Sequence, residues 1–147
     1  MESVAKELQS AIKAAERMRQ IADAEASVRP APGKWSKKEI LGHLIDSAAN
    51  NHQRFVRLQL YSRIDLPGYD ADEWVRVQGY GNRPWAELID LWQIYNVQLA
   101  GLIDDADQDA LAHVWHTPDG KDLSLEFLMR DYVVHLRHHL DQIVKPA

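Results

Sequence analysis

The sequence predicts an all-α fold, a four-helix bundle, on three observations. Four stretches carry apolar residues at intervals of three and four. Each stretch has helix start or stop signals at its ends, and the 147 residues contain no internal repeat, low-complexity tract or linker that would divide them. One domain over residues 1–147 is the expected organisation, because a chain of this length with 46% apolar residues can bury a core without staples.

Helix one is expected over residues 2–25, where Val4, Leu8, Ala11, Ala15, Met18 and Ala22 form one stripe and Lys6, Glu16 and Arg17 fall between them. "RPAPGKW" ends it, since Pro30, Pro32 and Gly33 continue a helix only at a cost. Ser36 and Glu39 stand in the capping-box relation, so helix two should run from about Lys37 to Tyr61. Residues 62–82 hold Pro67, Gly68, Gly79 and Gly81 and no sustained period, which reads as a long ordered loop between helices two and three. Loops of that length in small domains often carry function. Pro84 suits a first helical turn, and Trp85, Leu88, Ile89, Trp92, Tyr95 and Leu99 define helix three, ending near Asp104. "HTPDGKDL" is a tight turn with Asp119 and Gly120 at its tip and a short hairpin around it. Helix four begins near Ser124 and runs to about Val144, with Pro146 beyond it as a stop signal.

Lysine and arginine total 17 against 22 acidic residues, a net charge of −5, so there is no general basic field for nucleic acid or an anionic membrane surface. Small-molecule partners are expected instead. Cysteine is absent, which excludes disulfides, thiolate metal sites and a cysteine nucleophile. "MESVAKELQS" has no apolar run long enough for a leader or a membrane span, and the cytoplasm is the expected location.

"HLRHHLDQ" places three of the seven histidines within residues 135–139. At about 100° per residue, and with His135 as zero, the apolar side of this helix centres near 80°, His139 lies near 40° and His138 near 300°. His135 and His139 therefore border the core and stand one turn apart, close enough to grip one cation, while His138 points away. A third ligand must come from elsewhere. His43, His52, His113 and His116 are the candidates. His43 and His52 face opposite sides of helix two and cannot serve one site, and His113 and His116 flank an irregular turn where histidines are commonly solvated.

The pieces "PGKWSKKEILGHLIDS", "YDADEW" and "HLRHHLDQI", with "WAELIDLWQIYN" between the last two, resemble the DinB superfamily, and within it the YfiT-like metal-binding proteins. The order and separation of these pieces carry the resemblance, which spans most of the chain. It implies a four-helix bundle of the DinB/YfiT-like type, holding one divalent metal on three histidines. By position these are His43, His135 and His139. Three neutral imidazoles leave positions open for water or substrate. Zinc or nickel comes first among ions that accept such ligands, with manganese, iron and cobalt also compatible. Asp46, Asp131 and Gln142 are polar neighbours able to accept a free imidazole N–H. For Asp46, solvent exposure is the expectation. Ser47 shares the polar strip of His43. Tyr69, Asp70 and Trp74 are pocket-wall candidates in the long loop, with Trp74 expected as a packing anchor and Trp35 as a seal at the start of helix two.

An enzyme is the leading expectation. The resemblance includes transferases and isomerases that use a low-molecular-weight thiol such as bacillithiol, mycothiol or glutathione, where the metal would acidify the thiol so that it attacks an electrophile. A metal-dependent hydrolase is the alternative, but it needs a proton acceptor, for which Asp70 is the weak candidate. That lack favours the transferase reading. A non-catalytic metal or small-ligand binding protein, as a homodimer, is the third reading.

Overall fold

The structure is a computed structural model and describes residues 1–145. Four long helical segments form the bundle expected from the sequence, in the order α1 (Glu2–Ile12), α4 (Lys37–Leu60), α6 (Trp85–Asp104) and α7 (Leu125–Ile143). Between them lie the short helices α2 (Ala14–Met18), α3 (Asp23–Ala26) and α5 (Ala71–Gln78) and the strands β1 (Arg63–Ile64), β2 (Val114–His116) and β3 (Asp122–Ser124). One continuous cluster of buried apolar side chains, from Val4 to Ile143, joins all four long helices.

The first helix departs from expectation. It is broken at Lys13, whose N–H reaches Ser10 instead of the residue four back, and it ends after Met18. Distant partners impose that end. The Trp85 indole N–H donates to the Met18 carbonyl at 2.9 Å, and Asp23 accepts from both Lys38 Nζ and the Trp85 backbone N–H at 2.8 Å. Val4, Leu8, Ala15 and Met18 keep the buried stripe, while Ala22 falls outside a helix and is exposed.

α4 opens on the capping box, with Glu39 N–H on Ser36 Oγ at 3.2 Å and Ser36 N–H on Glu39 Oε1 at 3.1 Å. α7 opens on Ser124, whose hydroxyl accepts from Phe127 N–H. It ends at Ile143, and Pro146 lies outside the described residues. The hairpin around Asp119 and Gly120 is present, with Trp115 opposite Leu123, and β1 adds to it in parallel, a strand too short to signal itself.

Side-chain pairs fix the helix directions. His43 meets His135 while Phe55 meets Tyr132, so α4 and α7 are antiparallel. His52 Nδ1 lies 2.8 Å from the Tyr95 hydroxyl, and Gln59 Oε1 accepts from Asp107 N–H, so α4 and α6 run parallel. The Trp85–Met18 bond makes α6 antiparallel to α1, giving an up-down-down-up bundle. Parallel neighbours need a return segment as long as the helix, roughly 36 Å for 24 residues. Residues 61–84 make that return, and this is the physical reason for the long loop. The loop is not structureless. Asp70 caps α5 by accepting from Glu73 N–H at 3.2 Å, and Gly79 closes α5 at φ 61°. On the outer face of α6, Leu91, Ile94 and Val97 remain exposed.

Candidate metal centre

His43 sits in the second turn of α4, and His135 and His139 sit in the last turns of α7, which the antiparallel packing brings to the same end of the bundle. One nitrogen from each ring lies within 4.8 Å of the others. His43 Nε2 and His135 Nε2 are 3.2 Å apart, and the ring centroids are 4.6 to 5.0 Å apart. Two imidazole nitrogens on a tetrahedral ion, each about 2.05 Å from it, stand about 3.3 Å apart. The three residues fit a divalent ion. Among the described residues no other histidine or carboxylate joins the cluster.

The electrostatics favour the neutral, ligating form of the rings. Burial, reinforced by the charges of His139 and His135, pushes the His43 pKa down to about 4, and burial likewise lowers that of His135. His139 Nδ1–H donates to Gln142 Oε1 at 3.0 Å, which leaves its Nε2 free for a cation. His43 Nδ1 is buried without a partner. Trp35 stacks at 5.0 Å from the His43 ring, so it walls the site as well as sealing the start of α4. A cleft of about 410 Å³, lined by Trp35, Ile40, Lys34, Asp72, His139 and Gln142, reaches the cluster at His139.

These shifts set a pH dependence. An imidazole in the unfolded chain takes a proton near pH 6.5, whereas folded His43 resists until about 4. Between those values the unfolded state binds more protons, so stability falls as pH drops through that window and is flat above it. For metal-free protein the loss from pH 7 to pH 4.5 is of order 2 kcal/mol after allowance for solvent screening at the open side. Urea midpoints measured across this range check it, and His43→Leu should make the slope shallower, with the lowered pKa of His135 supplying part of what is left.

Of the remaining histidines, His138 is exposed beside His139, and His52 faces α6. His113 Nδ1–H donates to the Leu58 carbonyl at 2.5 Å, and His116 pairs with Asp122 at 2.6 Å on the hairpin. Asp131 is exposed and bears on His135 by its charge alone. Asp70 is a surface residue whose carboxylate is engaged in the α5 cap. Trp74 is 39% exposed with its ring 5.2 Å from that of Tyr69, a partly open pair over the return segment.

Asp46 overturns its expectation of exposure. It is 3% exposed, and Oδ1 accepts from the Tyr80 hydroxyl at 2.6 Å and from Gln78 Nε2 at 2.7 Å. Its Oδ2 is buried without a partner, and burial raises its pKa. Tyr80 reaches it by lying flat on Gly42, where a Cβ would come within 2.1 Å of the ring. Ser47 is 2% exposed on the same helix. Tyr80 and Gln78 come from the return segment, 34 and 32 residues on, so nothing near Asp46 in sequence announced them.

The bundle with three histidines at one end defines a class, that of helical proteins able to coordinate one metal between facing helices. The chain belongs to the DinB superfamily, whose model matches residues 8–143. Its fold is similar to that of YfiT from Bacillus subtilis, described as a probable metal-dependent hydrolase with an unusual four-helix bundle topology, with a TM-score of 0.82 and 21% identity over 98% of this chain and 82% of that one. It is also similar to the mycothiol-dependent maleylpyruvate isomerase, with a TM-score of 0.73 and 14% identity over 97% of this chain, which spans 60% of the isomerase. An H52A mutant of that isomerase matches equally, at a TM-score of 0.74 and 13% identity, and this chain covers 61% of it. No curated protein sequence matches the chain significantly.

Proposed function

We propose that the chain is a metal-dependent hydrolase of small molecules, with His43, His135 and His139 holding one divalent ion, zinc or nickel foremost. The observation that carries this reading is the convergence of three histidine nitrogens within 4.8 Å, without a fourth histidine or carboxylate among the described residues, beside an open cleft. When bound, the ion supplies a positive charge that acidifies an oxygen or sulfur atom brought to it. The protein's own groups do the rest. Gln142 fixes the His139 tautomer, and Trp35 keeps bulk water from one side of His43.

Asp46 Oδ2 is the group that accepts and holds a proton, one helical turn from His43. Tyr80 and Gln78 orient its carboxylate through Oδ1, and burial makes it a stronger base than an exposed aspartate. This answers the lack of a proton acceptor that favoured a thiol transferase in the sequence. Asp70 drops out of that role, since its carboxylate caps α5. Thiol transfer stays as the second reading, supported by the likeness in fold to a mycothiol-dependent isomerase. No helix among the described residues is long and apolar enough to cross a membrane.

The test is zinc-loaded protein offered small esters, amides and lactones in water, with and without bacillithiol, mycothiol or glutathione. A metal-dependent rate without thiol is expected, and Asp46→Asn should lower kcat about a hundredfold while metal stoichiometry holds. A rate that requires one thiol would replace this reading with the transferase. Full activity in Asp46→Asn would remove Asp46 from it.

A further inference from the structure

We propose that Arg54 is an anion-binding residue, and that the ligand of this protein is an elongated small molecule ending in a carboxylate. The inference rests on the metal-site reading only in placing the other end of the ligand near the histidines.

Arg54 lies eleven residues after His43, only about 20° round the helix from it and about 16 Å along the axis. Ser47 and Asn51 fill the interval, so a polar strip descends α4 from the metal centre on a side otherwise shut from water. Arg54 is 7% exposed. The other charged side chains buried this far and held by an opposite charge are Lys38, on Asp23 at 2.8 Å, and Glu39, on Arg29 at 2.7 Å. Arg54 has no such partner among the described residues, and its one hydrogen bond, from Nη1 to Asn51 Oδ1, is 3.4 Å long.

A guanidinium cannot shed its proton to escape this burial. Trp115 covers one of its faces at 3.8 Å from the ring centroid, which leaves the edge N–H groups as the unused surface. Those groups form a fork that matches two oxygens of one anion. The Tyr69 hydroxyl shares the space with Ser47 and Arg54, and burial keeps it a neutral donor. Arg54 offers one positive charge, and the charge of buried Asp46 also reaches the Tyr69 hydroxyl, so an end group carrying a single negative charge, a carboxylate, suits the space better than a doubly charged phosphate. In a chain of net charge −5, an arginine 7% exposed and without a counterion is a position that a ligand carboxylate would satisfy.

Calorimetric titration of glutarate, its dimethyl ester and inorganic phosphate into metal-free and zinc-loaded protein tests the inference. Glutarate should bind both forms and the diester neither. Arg54→Gln should weaken glutarate at least about tenfold, as expected for losing charge-assisted hydrogen bonds, with metal stoichiometry unchanged. Arg54→Lys, which keeps the charge and loses the fork, should fall between. Equal affinity in wild type and Arg54→Gln, no glutarate binding to wild type, or stronger binding of phosphate would overturn the proposal. If Arg54→Gln does not fold, unchanged affinity in Arg54→Lys overturns it instead. Failure of the hydrolase reading is separately visible, as absent turnover with glutarate binding intact.

Discussion

Alanine at His43, His135 or His139 should abolish stoichiometric divalent-metal binding, weakening it by more than about a hundredfold, beyond the ten- to hundredfold typical of losing a supporting hydrogen bond to a ligand. Each ring supplies one of three nitrogens gathered within 4.8 Å, and among the described residues no fourth histidine or carboxylate joins that cluster. His138→Ala and His52→Ala should leave the affinity within about threefold, since one ring faces solvent and the other is engaged with Tyr95. Metal analysis after dialysis, followed by competition with a chromogenic chelator, reads all five variants. Equal losses at His135, His138 and His139 would show that this helix binds ions by its histidine content and not through one built site.

Gly42→Ala is expected to be the most damaging of the small substitutions. In an ordinary helix the change stabilises by up to about 1 kcal/mol, but here the added Cβ would stand 2.1 Å from Tyr80 Cδ2 and within 2.6 Å of two further ring atoms. The ring belongs to a packed segment and must move as a body. Its hydroxyl then leaves Asp46 Oδ1 to Gln78 alone, in a carboxylate whose other oxygen already has no partner. Overpacking and the lost buried hydrogen bond together should cost about 3 kcal/mol net, measured as a lowered urea midpoint. Gly42→Ala combined with Tyr80→Leu should recover much of that loss if the clash is its cause. No recovery would locate the damage in the backbone of α4.

Helices α4 and α7 were legible because each repeats its apolar spacing over five or more turns and opens on a capping residue that the structure uses, Ser36 and Ser124. His135 and His139 were legible for the same reason, since one helix fixes their separation. His43 was not selected by its own helix. Its face is compatible with the site, but only the resemblance to a family chose it over the other histidines. The misread parts share one cause, which is that distant residues decide them. Trp85 and Lys38 end the first helical stretch, Tyr80 and Gln78 bury Asp46, and α5 buries only Val75 of its eight residues, too little to show a period.

The ligand positions also bear on how the chain holds together. Ninety-two residues separate His43 from His135, so an ion gripping both would close a ring of well over half the polypeptide. Such a clasp withdraws freedom from the unfolded coil much as a long-range crosslink does, by several kcal/mol in the chain-entropy account. In a protein without cysteine, a reversible tether of this kind would tie folding to metal supply, and chelation would loosen the molecule far from the pocket it empties.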